Sequence, residues 1–195
     1  MQSHKLLKLL RDTGAMLEGH FLLTSGRHSK VYIEKFRILE NPDFLDQVCN
    51  KMAKVVINDD IDIVLGAAIG GILISGGMGR HLRKKHIFAE REDGKMKLRR
   101  GFIINSGERV VIVEDIITTG GSVFELIRLA EENEAEIVHV VNLVDRSLEG
   151  IDFGYPSTAL LEIPSESYNP DDCPLCKLSL PLMERGRTGK KMETS

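Results

Sequence analysis

The chain has no apolar run approaching the ~20 residues that a membrane helix needs, and no basic-then-apolar stretch at its N-terminus. A membrane partner and an export signal are therefore not expected, and the expected compartment is the cytoplasm. Excess positive charge is missing too: 26 Lys and Arg stand against 29 Asp and Glu, a formal net charge of −3. Nucleic acid and anionic lipid call for the opposite balance, so neither is expected as the main partner. Cysteine is scarce, with three in 195 residues. So small and odd a number argues against a disulfide framework and for a reducing compartment. Two nucleotide signatures are also absent, the P-loop G-x-x-x-x-G-K-[ST] and the dinucleotide G-x-G-x-x-G after a strand. What remains is 42% hydrophobic and 28% charged residues, the composition expected of a soluble globular chain with one substantial core.

The most informative stretch is residues 110–122, V-V-I-V-E-D-I-I-T-T-G-G-S. It opens with a run of β-branched residues, the mark of a strand buried on both faces. Glu114 and Asp115 sit where that strand is expected to end. Thr118, Thr119, Gly120, Gly121 and Ser122 then form a hydroxyl-rich turn into V-F-E-L-I, which reads as a helix. Such a turn is an anion site, because unpaired N–H groups and the positive end of the helix dipole face it. The hydroxyls add donors, and the glycines let the backbone approach a phosphate closely. The two acids repel a phosphate, so they suit the diol of a ribose or a Mg²⁺ ion carried in by a second phosphate group. A ribose between two anionic groups is the ligand described. The competing reading is an ordinary strand-to-helix connection, against which the paired acids and the hydroxyl-glycine turn both weigh.

Along the rest of the chain, residues 4–12 place Leu6, Leu9 and Leu10 on one helical stripe, stopped by Thr13 and Gly14. Residues 18–37 read as a hairpin in which Phe21-Leu22-Leu23 and Val31-Tyr32-Ile33 flank the polar turn T-S-G-R-H-S. Its charges are either simply solvated or turned toward a ligand. Asn41, Pro42 and Asp43 signal a helix running to 57, with Leu45, Val48, Met52 and Val55 on its apolar side and Cys49 packed inside. A core strand at 61–68 runs into Ile69-Gly70-Gly71, a second phosphate candidate at a strand's carboxyl end, and then a helix to Arg83.

After a strand at 86–90, residues 91–100 (R-E-D-G-K-M-K-L-R-R) carry almost no apolar anchor. This segment is expected to be mobile, either a solvated β-hairpin connection or a lid that brings Arg91, Lys95, Lys97, Arg99 and Arg100 to a polyanion. A strand at 137–144 ends at Asp145-Arg146. There the arginine either offers a planar fork to a carboxylate or pairs on the surface with Asp145 or Glu149. A last strand is expected at 158–163. The tail holds Cys173-Pro174-Leu175-Cys176, which is half a zinc site with no second ligand pair following it; a disulfide or two free thiols fit as well. Residues 189–195 are expected to fray.

Strands alternating with helices predict one α/β domain with a three-layer, mainly parallel sheet. The apolar strand, paired acids and T-T-G-G-S closely resemble the phosphoribosyl-pyrophosphate (PRPP) motif of type I phosphoribosyltransferases. The T-S-G-R-H-S turn with its following aromatic, the basic segment and Arg146 resemble orotate phosphoribosyltransferases in particular, and C-P-L-C tails occur in a subset of that family. The resemblance spans nearly the whole chain. It implies a single domain over 1–195: a core over about 41–163, and a small hood from about 1–40 together with the tail from about 164–195. The activity implied is transfer of ribose 5-phosphate from PRPP to orotate, giving orotidine 5′-monophosphate and pyrophosphate in pyrimidine (UMP) biosynthesis. Mg²⁺ is the implied cofactor, and the implied assembly is a homodimer whose basic lid closes over the neighbouring subunit's pyrophosphate.

Carried over residue by residue, the resemblance implies that Ile69 and Gly70 meet pyrophosphate through their backbone. Glu114 and Asp115 would hold the ribose hydroxyls, with Asp115 the side chain that could touch Mg²⁺. Ile116, Ile117, Thr118, Thr119, Gly120, Gly121 and Ser122 would complete the PRPP contacts, the turn fixing the 5′-phosphate. Arg91, Lys95 and Lys97 would reach PRPP from the lid, and Arg91 and Lys95 would join the two acids in catalysis. Thr24, Tyr32, Thr118 and Arg146 would meet orotate. Two departures stand out: Thr24 occupies a place where many members have lysine, and a histidine found in many members' lids has no counterpart. Two rival readings share the central motif. A purine-base phosphoribosyltransferase would not need Arg146 against a carboxylate, and a PRPP-sensing regulator would need a recognition helix or a basic face.

Overall fold

Strands that are apolar on both faces can be satisfied only between two helical layers, and this governs how the chain folds. The computed structural model describes residues 2–23, 25–164 and 166–185. Helix α1 (Gln2–Asp12) leads into the hairpin of β1 (Met16–Leu22) and β2 (His28–Ile33), and α2 (Lys35–Leu39) and α3 (Pro42–Val55) follow. The main body continues with β3 (Ile63–Ala67), α4 (Gly70–Leu82), β4 (Lys85–Glu92), β5 (Lys95–Leu98), β6 (Arg109–Ile117), α5 (Gly121–Glu132), β7 (Glu136–Asp145) and β8 (Ser157–Glu162). The tail adds β9 (Ser167–Tyr168), a 3₁₀ turn, α6 (Pro174–Lys177) and β10 (Met183–Glu184).

The main sheet has the order β5-β4-β3-β6-β7-β8, parallel throughout except for β5, which runs antiparallel beside β4. Val64, Val111, Val113 and Val141 face α3 and α4, packing with Val48, Met52, Ile74 and Met78. Their chain neighbours Ile63, Leu65, Ile112 and Val140 point the other way, onto Val123, Leu126 and Ala130 of α5. Each such side chain contributes roughly 1.5–3 kcal/mol of apolar burial, so the alternation holds the three layers together. The mainly parallel three-layer sheet is the one expected from the sequence. Helix α3 starts as its cap foretells: the Asn41 side chain accepts from the Phe44 N–H at 3.0 Å, with Pro42 in the first turn. Cys49 is fully buried in α3, and burial pushes its thiol up to about 12, an inert packing group.

A second, four-stranded sheet has the order β10-β1-β2-β9, so the two tail strands flank the N-terminal hairpin on both edges. These tail strands were not expected; each is two residues long, too short to show any periodicity. Strand β6 also runs past its expected end, because Ile116 and Ile117 still pair with Val144 and Asp145 of β7. Glu114 and Asp115 consequently lie inside the strand rather than at its tip.

Of the two readings of segment 91–100, the structure shows the β-hairpin connection. It folds as the antiparallel hairpin of β4 and β5, turning at Asp93 and Gly94, both at positive φ. One apolar anchor suffices, since Met96 is buried among Ile87, Ala89 and Ile104. The charges compensate one another: Lys97 and Arg99 meet Glu92, and Arg100 meets Glu90. Thr24 and residues 189–195, for which a ligand contact and fraying were expected, lie outside the described residues. Among the described residues, no helix is long and apolar enough to cross a membrane.

Candidate active site

The turn between β6 and α5 is shaped by Gly120, which takes φ +73° as the residue preceding the helix, a conformation that favours glycine. No side chain caps α5, so the first N–H groups of the helix face outward without a capping partner. They border a cavity of about 180 Å³ whose lining includes Arg91, Glu114, Thr118, Thr119, Gly121 and Ser122. Thr118 and Thr119 are exposed to it, while the strand beneath is buried. Backbone donors, hydroxyls and a helix N-terminus make this a site for a phosphate monoester.

The two acids beside it are buried, Glu114 at 8% and Asp115 at 3% exposure. Both use their own backbone: Glu114 Oε1 accepts from the Asp115 N–H at 3.0 Å, and Asp115 Oδ1 accepts from the Ile116 N–H at 2.6 Å. Asp115 Oδ2 lies 2.9 Å from the Lys35 ammonium, a half-exposed cation on α2. Burial pushes the Glu114 carboxyl well above the ordinary range, and the Asp115 charge next to it adds to the rise. The pair therefore holds its second negative charge weakly until something cationic, or a set of hydroxyl donors, arrives between the acids. Lys35 was not among the residues expected at the site. Its E-K-F-R context carries no motif, and only the placement of α2 brings it there.

Gly70 opens α4 directly against this pair. A Cβ there would sit 1.6 Å from Asp115 Oδ2, so glycine is what lets the loop after β3 come this close to the acids. Ile69, just before it, is 72% exposed, and the Ala68–Ile69 peptide is cis. The second phosphate candidate read from the sequence thus adjoins the first.

A larger cavity of about 740 Å³ adjoins the phosphate cavity and shares Thr118 and Thr119 with it. Its other walls include Tyr32 and Arg27 from the hairpin, Arg146 after β7, and Ser167 of the tail. Arg146 is buried, at 8% exposure, and its backbone N–H donates to the Ile117 carbonyl at 2.8 Å, next to the central turn. One guanidinium nitrogen donates to the Val31 carbonyl at 2.9 Å, and burial lowers the arginine's pKa. Tyr32 packs on Phe21, with ring centroids 5.6 Å apart. Arg27 ties the hairpin turn to the tail, donating to Ser167 Oγ at 2.8 Å, to the Ser167 carbonyl at 2.6 Å and to Asn169 at 3.2 Å.

The basic hairpin divides. Arg91 borders the phosphate cavity, held by Glu125 of α5 at 3.0 Å. Lys95 lines a different cavity with Gly94, Met96, Glu125 and Arg128, and Lys97 is engaged with Glu92 at 2.8 Å. Within one chain, then, Arg91 joins the acids and the turn, whereas Lys95 and Lys97 do not.

The sequence model of the phosphoribosyl transferase domain matches residues 37–152. The chain is 44% identical to an orotate phosphoribosyltransferase of Caldicellulosiruptor bescii, over 97% of this chain and 100% of the relative. It is 45% identical to one of Thermotoga maritima, over 94% and 98% respectively. Among solved structures, the orotate phosphoribosyltransferase from Aeropyrum pernix superposes with a TM-score of 0.65 at 28% identity, covering 81% of this chain and 93% of that chain.

Proposed function

We infer the chemistry from one premise: the chain belongs to the phosphoribosyltransferases, and among them to the orotate phosphoribosyltransferases. It transfers the ribose 5-phosphate group of PRPP to orotate, a pentosyl transfer that gives orotidine 5′-monophosphate and pyrophosphate in pyrimidine biosynthesis. One observation carries this reading beyond the names of relatives. The phosphate cavity and the cavity bordered by Arg146 meet at Thr118 and Thr119, as a ribose joined to a phosphate at one end and a carboxylated base at the other requires.

The 5′-phosphate takes the turn of Thr118, Thr119, Gly120, Gly121 and Ser122, with Ile116 and Ile117 as the wall behind it. Glu114 and Asp115 take the ribose hydroxyls, and their negative charge stabilises the ribose carbon as it becomes cation-like. Ile69 and Gly70 present backbone to the pyrophosphate, with Arg91 meeting its charge. The Arg146 guanidinium pairs with the orotate carboxylate, Thr118 and Tyr32 bound the ring, and Thr24 is the fourth residue assigned to orotate. Orotate arrives already anionic, so the site needs no strong general base. Its binding is orientation more than bond chemistry.

The donor set fits Mg²⁺ arriving with PRPP. Both Asp115 oxygens already have partners, on Lys35 and the Ile116 N–H, so the protein offers at most one carboxylate and substrate oxygens must supply the rest. Bound there, Mg²⁺ supplies positive charge to the departing pyrophosphate. The site of action we assign is the cytoplasm.

The test is loss of orotate absorbance with PRPP and Mg²⁺, run in parallel with adenine, hypoxanthine and uracil. Turnover of orotate alone is the expected result. Turnover of a purine would discard the Arg146 assignment, and PRPP binding without turnover of any base would favour a regulator.

Lys95 and Lys97 act, in this reading, at the partner's active site in a homodimer, which accounts for their distance from the acids of their own chain. Two inactive variants, Lys95→Ala and Asp115→Asn, should complement when mixed and allowed to exchange. A heterodimer rebuilds one intact site, so an equal mixture should recover about a quarter of the wild-type activity. No recovery in a mixture shown to contain heterodimers would return Lys95 to its own chain.

A further inference from the structure

The cysteine pair of the tail finds its missing partners upstream in the sequence. Cys173 and Cys176 come together with His20 of β1 and His28 of β2, and one ligand atom from each lies within 4.8 Å of all the others. His20 Nε2 stands 2.9 Å from His28 Nδ1 and 3.7 Å from each sulfur, and Cys176 Sγ stands 3.3 Å from His28 Nδ1. In a tetrahedral zinc site, bonds of about 2.0–2.1 Å to nitrogen and 2.3 Å to sulfur put neighbouring ligand atoms roughly 3.3–3.8 Å apart. The four ligand atoms, all within 4.8 Å of one another, are gathered on the scale that such a site needs.

The orientation of His20 strengthens the case. Its Nδ1 lies 2.9 Å from the Leu180 carbonyl oxygen, which can only accept, so Nδ1 carries the proton. The lone pair of neutral His20 is then on Nε2, aimed at the centre of the cluster. Metal-ligating histidines are usually held in this way by a backbone carbonyl behind them. His20, His28 and Cys173 are buried, and Cys176 is exposed, leaving one side for an ion to enter. No carboxylate belongs to the group, and two nitrogens with two sulfurs select a borderline-soft ion over Mg²⁺ or Ca²⁺.

We propose that His20, His28, Cys173 and Cys176 bind a structural Zn²⁺ ion that fastens the tail to the N-terminal hairpin. The two histidines lie in β1 and β2, on either side of the hairpin turn, while Cys173 directly precedes α6 and Cys176 lies within it, at the start of the path to β10. A closed four-ligand site leaves no open position for substrate, so its role is to hold the turn bordering the larger cavity, not to react.

The decisive experiment is elemental analysis of the full chain, produced with zinc in the medium and purified without a chelator or an affinity tag that binds metals. About one zinc per chain is expected. Chelation should lower the melting temperature by about 10 °C, and one equivalent of Zn²⁺, but not Mg²⁺, should restore it. Co²⁺ in its place should show the thiolate-to-metal absorption of two sulfur ligands. Cys176→Ser, a change at an exposed position, should lose most of the metal. Should that variant fail to fold, the wild-type measurements still decide. Protein without stoichiometric metal that neither takes up Zn²⁺ nor gains stability from it would overturn the proposal. So would a mass two hydrogens lower than the sequence, marking a Cys173–Cys176 disulfide.

Discussion

Arg146→Ala should raise the KM for orotate by about 100-fold while moving that for PRPP by less than about threefold, because truncating one partner of a buried charge pair costs roughly 2–5 kcal/mol. The guanidinium is buried at the end of β7, and burial strengthens any carboxylate it meets. Arg146→Lys should recover only part of the loss, since an ammonium keeps the charge but not the two-pronged geometry. The same side chain donates to the Val31 carbonyl beside Tyr32, and loss of that bond also loosens the hairpin. A melting curve separates the two effects: a selective rise in the orotate KM at an unchanged melting temperature assigns the loss to the carboxylate. Equal rises for both substrates would remove Arg146 from the base site.

Glu114→Gln should move activity and stability in opposite directions. kcat should fall by about 100-fold, as when a charge used mainly in the transition state is removed. The unliganded protein, however, should become more stable at alkaline pH. In the folded state the Glu114 carboxyl is pushed up to about 8, first by burial and then by the Asp115 charge. A raised pKa means the folded state holds the proton more tightly than the unfolded one. The associated stability is complete below the unfolded value near 4.5 and is lost as pH climbs through about 8. Glutamine escapes that loss. The gap in melting temperature between variant and wild type should therefore widen from pH 5 to pH 9, reaching about 3 °C for each kcal/mol of repulsion removed. A gap independent of pH would mean that Glu114 does not titrate in this range.

The parts of the fold legible in the sequence are those whose physics is local. Buried parallel strands appear as runs rich in β-branched residues, so 110–113 and 137–144 could be read directly, and Asn41-Pro42 announces its helix by capping chemistry alone. The paired acids and the T-T-G-G-S turn are contiguous, which is why the phosphate half of the site could be read whole. What escaped depends on partners that only folding brings into contact. Residues 91–100 looked unanchored because the pairings that neutralise them, with Glu90 and Glu92, and the pocket that takes Met96 exist only after folding. Lys35 gains its meaning from Asp115, eighty positions later. The histidines that complete the cysteine cluster precede it by about 150 residues, too far for any ligand spacing to announce them.

The flanking of the N-terminal hairpin by the two tail strands also sets an order in time. Phe21 pairs with Met183, and His28 with Tyr168, so β1 and β2 cannot complete their sheet until the chain has been made through β10. At ~5–20 residues per second of synthesis, the hairpin waits roughly 10–30 s with both edges open. During that interval the core sheet, whose pairings lie far closer in sequence, can form beneath it. Open edges are sites where strands of other chains can add, so the tail acts late as a guard against mispairing. The roof over the larger cavity is thus finished after the core sheet beneath it, its two central strands completed by segments made well over a hundred residues later.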